Sequence, residues 1–243
     1  MVHAFKAAGK RLLGPKGLVW ARCLLRGFPI PRWGNLRRVT PFSAQFGFER
    51  GLPVDRFYLH RFLDANREAI RGDVLEVQMV GYTRRFGHDL GRTDSFDVVP
   101  TFDPTYLCDL AHCGDVIPTA AYDCVLLPNT PQHLRELEPA LRHAYRALRP
   151  GGVLLASAAG LLPLTGEVAD YWRATPAGWR ELAASVWPDA TVAVEGHGNC
   201  LAVIAAAHGL AFEELSESEL LAHDPRFPLL VTIACRRPAE NPS

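Results

Sequence analysis

Tyr122-Asp123-Cys124-Val125-Leu126-Leu127 is a short, almost continuously apolar run. Such a run reads as a strand buried on both faces. Pro131 follows, where a proline suits the first turn of a helix. Leu134, Leu137, Leu141, Tyr145 and Leu148 then fall on one helical stripe, which predicts a helix running to about Leu148. Pro150-Gly151-Gly152 ends it and turns the chain, and 153–158 is the next apolar run. Strand, helix, strand in succession predicts a parallel pair with a crossover helix.

The same alternation extends in both directions. Upstream, 54–70 has helical periodicity with Asp55 placed to cap it, 74–77 reads as a strand, 82–86 starts a helix, and 95–99 and 105–107 read as strands. Downstream, 160–175 is a loop, 177–186 a helix, 191–195 a strand, 199–215 and 217–222 helices, and 229–235 the last strand. The expectation is an α/β fold built on a mostly parallel sheet with helices on both faces. Residues 49–243 would form this domain, preceded by an arm or cap over 1–48 in which 5–13 and 18–25 are short helices.

Apolar residues make up 48% and charged residues 21%, enough for a sizeable core. Net charge is zero but uneven: nine basic residues, from Lys6 to Arg38, precede the first acidic one, Glu49. A basic arm of this kind fits an anionic membrane surface or an acidic protein partner, or folds back as a solvated extension. No nucleic-acid partner is expected, because the remaining domain is net acidic. No segment reaches the roughly 18 apolar residues of a membrane span. The apolar stretch 18–28 is interrupted by Arg22 and Arg26, so it does not read as a signal sequence, and the expected location is the cytoplasm. Cys108, His112 and Cys113 fit no standard zinc spacing, so no metal is expected and the six cysteines read as scattered thiols.

In open α/β sheets ligands bind at the carboxyl ends of the strands. A nucleoside there needs a carboxylate for its ribose hydroxyls at the end of the second strand, which Asp97 supplies. It needs another for its adenine amino group, which Asp109 supplies. An amino-acid tail needs a close-approach turn, and in Glu76-Val77-Gln78-Met79-Val80-Gly81 only Gly81 serves.

Several segments carry a family resemblance: Gly72-Asp73-Val74-Leu75-Glu76-Val77 with Tyr82-Thr83-Arg84-Arg85-Phe86-Gly87, Arg32-Trp33-Gly34-Asn35-Leu36-Arg37-Arg38, Arg50-Gly51-Leu52-Pro53-Val54-Asp55-Arg56-Phe57-Tyr58, Leu148-Arg149-Pro150-Gly151-Gly152-Val153-Leu154-Leu155, Asp170-Tyr171-Trp172-Arg173, Gly198-Asn199 and His223-Asp224-Pro225. The chain resembles class I S-adenosylmethionine-dependent methyltransferases over about residues 32–236. More narrowly, it is similar to bacterial proteins found beside glycosyltransferases in secondary-metabolite or surface-glycan biosynthesis. The resemblance implies a Rossmann-like class I methyltransferase fold with a seven-stranded sheet and S-adenosylmethionine as cofactor. It places Glu76 near the cofactor's amino-acid end, Asp97 on ribose, Asp109 on adenine, and Asn129 and Gln132 beside the site. Gln78 departs from the pattern, standing where the family has glycine.

The implied reaction is methyl transfer to a small molecule, at a hydroxyl of a sugar or glycosylated metabolite. The alternative raised by Gln78 is a protein that has lost methyl transfer and catalyses a cofactor-independent rearrangement or cyclisation, or serves as a non-catalytic partner. His133 and Tyr82 are the candidates for handling the proton, with His197 behind them. Arg50, Arg56, Tyr58, Tyr171 and Trp172 are the candidates for contacting the acceptor.

Overall fold

In a computed structural model the described residues are 14, 16–29, 32–166 and 168–239. The chain divides into two compact units, residues 1–40 and 41–243. In the first, 16–25 is helical, and Gly34–Leu36 forms a single 3-10 turn. The helix expected over 5–13 lies outside the described residues. The second unit begins at Pro41, eight residues before the expected boundary. The reason is Ser43, whose buried hydroxyl donates to Glu49 and accepts from the N–H groups of Gln45 and Gly47, while its own N–H and that of Phe42 reach the His208 carbonyl.

In this unit β1 (Gly72–Val77), β2 (Leu90–Asp97), β3 (Tyr106–Leu107), β4 (Tyr122–Leu127), β5 (Leu148–Ala159), β6 (Thr191–His197) and β7 (Leu230–Arg236) form one sheet in the order β3-β2-β1-β4-β5-β7-β6. Strands β1 to β5 are parallel, and β7 runs antiparallel between β5 and β6, with Leu155 opposite Ala234 and Val194 opposite Ile233. The helices are α1 (Val54–Ala65), α2 (Gly81–Phe86), α3 (Leu137–Ala147), α4 (Pro176–Val186), α5 (Cys200–Ala207) and α6 (Glu217–Leu221).

Because side chains alternate along a strand, the sheet feeds two cores. Leu75, Val125, Leu127, Leu154 and Ile233 face α3 and α4, where Leu137, Leu141, Trp179 and Val186 meet them. Val74, Cys124, Leu126, Val153 and Leu155 face α1, α2 and α5, where Leu59, Leu63, Phe86 and Ala202 meet them.

Several expected elements differ. The strand expected over 153–158 begins at Leu148, so Pro150-Gly151-Gly152 lies within β5 and α3 ends before it, at Ala147. The helix expected over 54–70 ends at Ala65, followed by a 3-10 turn over Arg67–Ala69. The helix expected after Pro131 is only a 3-10 turn over Pro131–His133, and α3 starts at Leu137. The Gln132 carbonyl accepts the N–H groups of Tyr171 and Trp172 instead of closing a helical turn. The long helix over 199–215 stops at Ala207. Gly209 has φ +68° and a Cβ there would lie 2.4 Å from the Ser43 carbonyl oxygen, so the 41–51 segment occupies the space a continuing helix would need. Finally, β2 starts at Leu90, five residues early. Its exposed start is polar, and Arg92 pairs with Asp94 at 2.9 Å while stacking over Tyr122.

Candidate active site

The carboxyl ends of β1 to β5 share one edge of the sheet, since these strands are parallel. Glu76, near the end of β1, is buried. Its Oε1 accepts the Tyr82 N–H at 3.0 Å and its Oε2 the Thr83 N–H at 2.8 Å. A carboxylate against these unpaired helix-start donors fixes where α2 begins. Burial pushes the Glu76 pKa up, opposed by the hydrogen bonds from Thr83 and Tyr82.

Between Glu76 and α2 lies the turn in which glycine was expected. Gln78 has φ +66°, in the left-handed region, and its N–H donates to the Phe96 carbonyl at 2.7 Å. The backbone therefore takes a glycine-like turn although the residue is glutamine. Met79 and Gly81 close the turn through their N–H groups to Val77 and Met79 carbonyls, both at 2.8 Å. A Cβ built on Gly81 meets only the Met79 side chain, at 3.9 Å, so the turn is open at that point.

On β2, Asp97 Oδ1 accepts the N–H groups of Val98 at 2.7 Å and Val99 at 3.3 Å. Its Oδ2 has no hydrogen-bond partner among the described residues. After β3, the exposed Asp109 caps the 3-10 turn Leu110–His112 by accepting the Ala111 N–H at 2.9 Å through Oδ1, leaving Oδ2 in the same condition. These two carboxylates, with the open turn, fit a nucleoside whose hydroxyls and amino group donate and whose tail reaches β1.

A polar network follows β4. Asn129, at φ +48°, donates its N–H to Ser157 Oγ at 2.8 Å, accepts the Ser157 hydroxyl at 2.9 Å, and donates through Nδ2 to Asp55 Oδ2 at 2.7 Å. Asp55 is therefore not the cap of α1. Pro53 holds that position, and Asp55 turns to the edge, where it also pairs with Arg56. Gln132 is buried; its amide donates to the Asn129 carbonyl at 2.7 Å and to His133 Nε2 at 3.2 Å. His133 Nδ1 donates to the Ala169 carbonyl at 3.0 Å, so Nε2 is the ring nitrogen that faces the Gln132 amide. Tyr82, half-buried, stacks on Phe86, and burial raises its phenol pKa.

The acceptor-side candidates separate. Arg56 and Tyr82 sit with Asp55 and Glu76, whose charges act on the Tyr82 phenol. Arg50 instead pairs with Glu214, behind α1. Tyr58 is buried, donates its hydroxyl to the Leu220 carbonyl at 2.9 Å, and touches a cavity at the end of β6. Tyr171 and Trp172 are exposed on the β5 loop, and the Trp172 indole donates to the Leu134 carbonyl at 2.8 Å. Cys113 lies in the core, and His112 pairs with Glu136 at 2.9 Å. Sequence reading missed Arg61 and Arg180 in the β6 cavity. Only the spacing of Phe57, Tyr58 and Arg61 along α1 hinted at Arg61.

The strand order and the antiparallel β7 define a Rossmann-like class I methyltransferase fold. A family profile described as a methyltransferase domain matches residues 99–156. A S-adenosylmethionine-dependent methyltransferase from Mesorhizobium loti superimposes with a TM-score of 0.52 at 14% identity, over 76% of this chain and 100% of that one. A SAM-dependent methyltransferase from Archaeoglobus fulgidus does so with a TM-score of 0.50 at 11% identity, over 76% and 93%. At these identities the likeness is one of fold. No curated protein sequence matches the chain.

Proposed function

We propose that the protein binds S-adenosylmethionine along the ends of β1, β2 and β3 and methylates a small molecule, at a hydroxyl of a sugar or glycosylated metabolite. The observation that carries this reading is Asp97: a half-buried carboxylate at the end of β2, with one oxygen committed to its own turn and the other open to a ligand. When bound, the cofactor supplies a methyl group already activated on a sulfonium. The chain's residues then bind, align and move a proton.

In this reading Asp97 accepts the ribose hydroxyls and Asp109 the adenine amino group. Gly81 admits the amino-acid tail, bordered by the Gln78 side chain, while Glu76 holds α2 in place. Asn129 lines the methyl end. Tyr82, kept protonated by burial, orients the acceptor hydroxyl. His133 takes the acceptor's proton on Nε2, for which the Gln132 amide must turn aside. Arg56, Tyr58, Tyr171 and Trp172 border the acceptor, and Arg50 steadies the chain behind them through Glu214.

Calorimetry with S-adenosylhomocysteine tests this reading. Binding is expected, and Asp97→Asn should weaken it about tenfold or more through the lost charge-assisted hydrogen bonds. Absence of binding at millimolar ligand sinks it. The side chain of Gln78 favours one rival, a cofactor-independent rearrangement or cyclisation in the same pocket. Product formed without cofactor and without an added methyl would select that rival.

For the basic arm, the reading is peripheral contact with an anionic membrane surface. Supporting it, Trp20, Leu24, Leu25 and Phe28 are all more than half exposed on or just after the helix over 16–25, beside Lys16, Arg22 and Arg26.

A further inference from the structure

Beyond the strand ends already described, the carboxyl edge carries a cavity of about 610 Å³, a volume in the range of small-molecule sites. It lies where α1, the start of α4, the end of β6 and the segment after α6 meet. Its position relative to the polar network follows from α1. Asp55 bonds Asn129, and Tyr58 and Arg61 follow it along α1 at i+3 and i+6, each step turning about 60° around the helix, so Arg61 stands about 9 Å further along the axis.

The lining has a distinct chemistry. Arg61 lies over the Phe57 ring at 5.7 Å. Arg180 donates through one nitrogen to the Val194 carbonyl at 2.9 Å, which aims the rest of its guanidinium without neutralising it. Neither has a carboxylate partner among the described residues, unlike Arg56 earlier on α1, which pairs with Asp55. The first turn of the eleven-residue α4 adds its positive end, since Thr175 and Ala177 also line the cavity. The lining contains one carboxylate, Glu195. His197 binds Thr232 Oγ1 through Nε2 at 2.7 Å and stacks on Tyr58, leaving Nδ1 for a ligand.

The wall is rigid as well as charged. A Cβ on Gly196 would lie 2.9 Å from the Pro176 ring, so β6 and α4 approach closely there. Asn199 donates to the carbonyls of Glu219 and Ala222, both at 2.7 Å, and pins the opposite rim. Two unneutralised guanidiniums on a fixed frame recognise an oxyanion. One carboxylate, Glu195, and two imidazoles, His197 and His223, beside them recognise hydroxyls.

We propose that this cavity binds a small polyhydroxylated molecule through an oxyanionic group, a carboxylate or a phosphate monoester, held by Arg61 and Arg180 with Glu195 and His197 on its hydroxyls. Only the ligand's role as methyl acceptor rests on the methyltransferase reading; its binding does not.

The test titrates the full chain with glucose 6-phosphate, glucuronate and glucose, following the histidine ring signal that is absent from His197→Asn. At least one of the two anions should shift that signal saturably, and which one does so separates phosphate from carboxylate recognition. Glucose at the same concentration should not. The double variant R61Q/R180Q should weaken binding about tenfold or more. Silence from both anions, equal binding of glucose, or unchanged affinity in the double variant overturns the proposal. If S-adenosylhomocysteine fails to bind while the anion still does, the methyltransferase reading falls alone.

Discussion

Gln78 is the residue at which sequence and backbone disagree most. At φ +66° its Cβ crowds the following carbonyl, a cost of about 1–2 kcal/mol that glycine does not bear. Pairing holds it there: the Gln78 N–H is committed to Phe96 and its neighbours close the turn. Gln78→Gly removes the strain but adds disorder to the unfolded chain, so the expected net gain is about 0.5–1 kcal/mol in denaturant unfolding. It should also tighten S-adenosylhomocysteine binding by clearing the tail's path. A loss of stability would instead mean that the Gln78 side chain makes a contact worth more than the strain. Asn129 shares the left-handed conformation at lower cost, because asparagine visits it readily, and uses it to face Asp55 and Ser157.

At the scale of elements, α1 and α2 meet around His60, which packs against Tyr82 and Phe86. Burial, with the charges of Arg85 and Arg56 nearby, pulls its pKa from 6.5 down to about 4. The unfolded chain therefore takes up a proton below pH 6.5 that the folded chain refuses until about pH 4. Stability should be fully present above pH 6.5 and fall as pH drops toward 4. His60→Gln should flatten that limb in unfolding measured across the window; an unchanged limb places the titration elsewhere. The basic arm yields a separate prediction. The full chain should co-sediment with phosphatidylglycerol vesicles and not with phosphatidylcholine vesicles, and L24E/L25E should abolish it. Retained binding in that variant would remove the helix over 16–25 as the contact.

For the whole molecule, the central strand β4 joins both cores. Leu126 is fully buried on the α1 and α5 side, with Val125 and Leu127 on the other. Leu126→Ala should cost about 2–5 kcal/mol in denaturant unfolding, since neither face can collapse into the space without disturbing the sheet. A cost below about 1 kcal/mol would mean that the α1 and α5 face relaxes freely.

The alternation of apolar runs and helical stripes was enough to reveal the α/β class and the central strands β1, β4, β5 and β7, because burial on both faces leaves a continuous apolar mark; the early starts of β2 and β5 carry no such mark. Asp97 and Asp109 stood out as candidates because both are carboxylates close to where such runs end. What could not be read depends on residues distant in the chain. Gly209 ends α5 because Ser43 stands against it, Gln132 forgoes a helix because Tyr171 and Trp172 take its carbonyl, and Asp55 leaves its helix cap for Asn129. The pairing of Arg50 with Glu214, and the exposure of Arg61 and Arg180 to one cavity, are likewise products of packing. Local pattern determined which elements form, since periodicity and turn chemistry act within a few residues. Only the tertiary structure decided which polar groups face one another at the sheet's edge, since those partners come together through the order of strands rather than the order of residues.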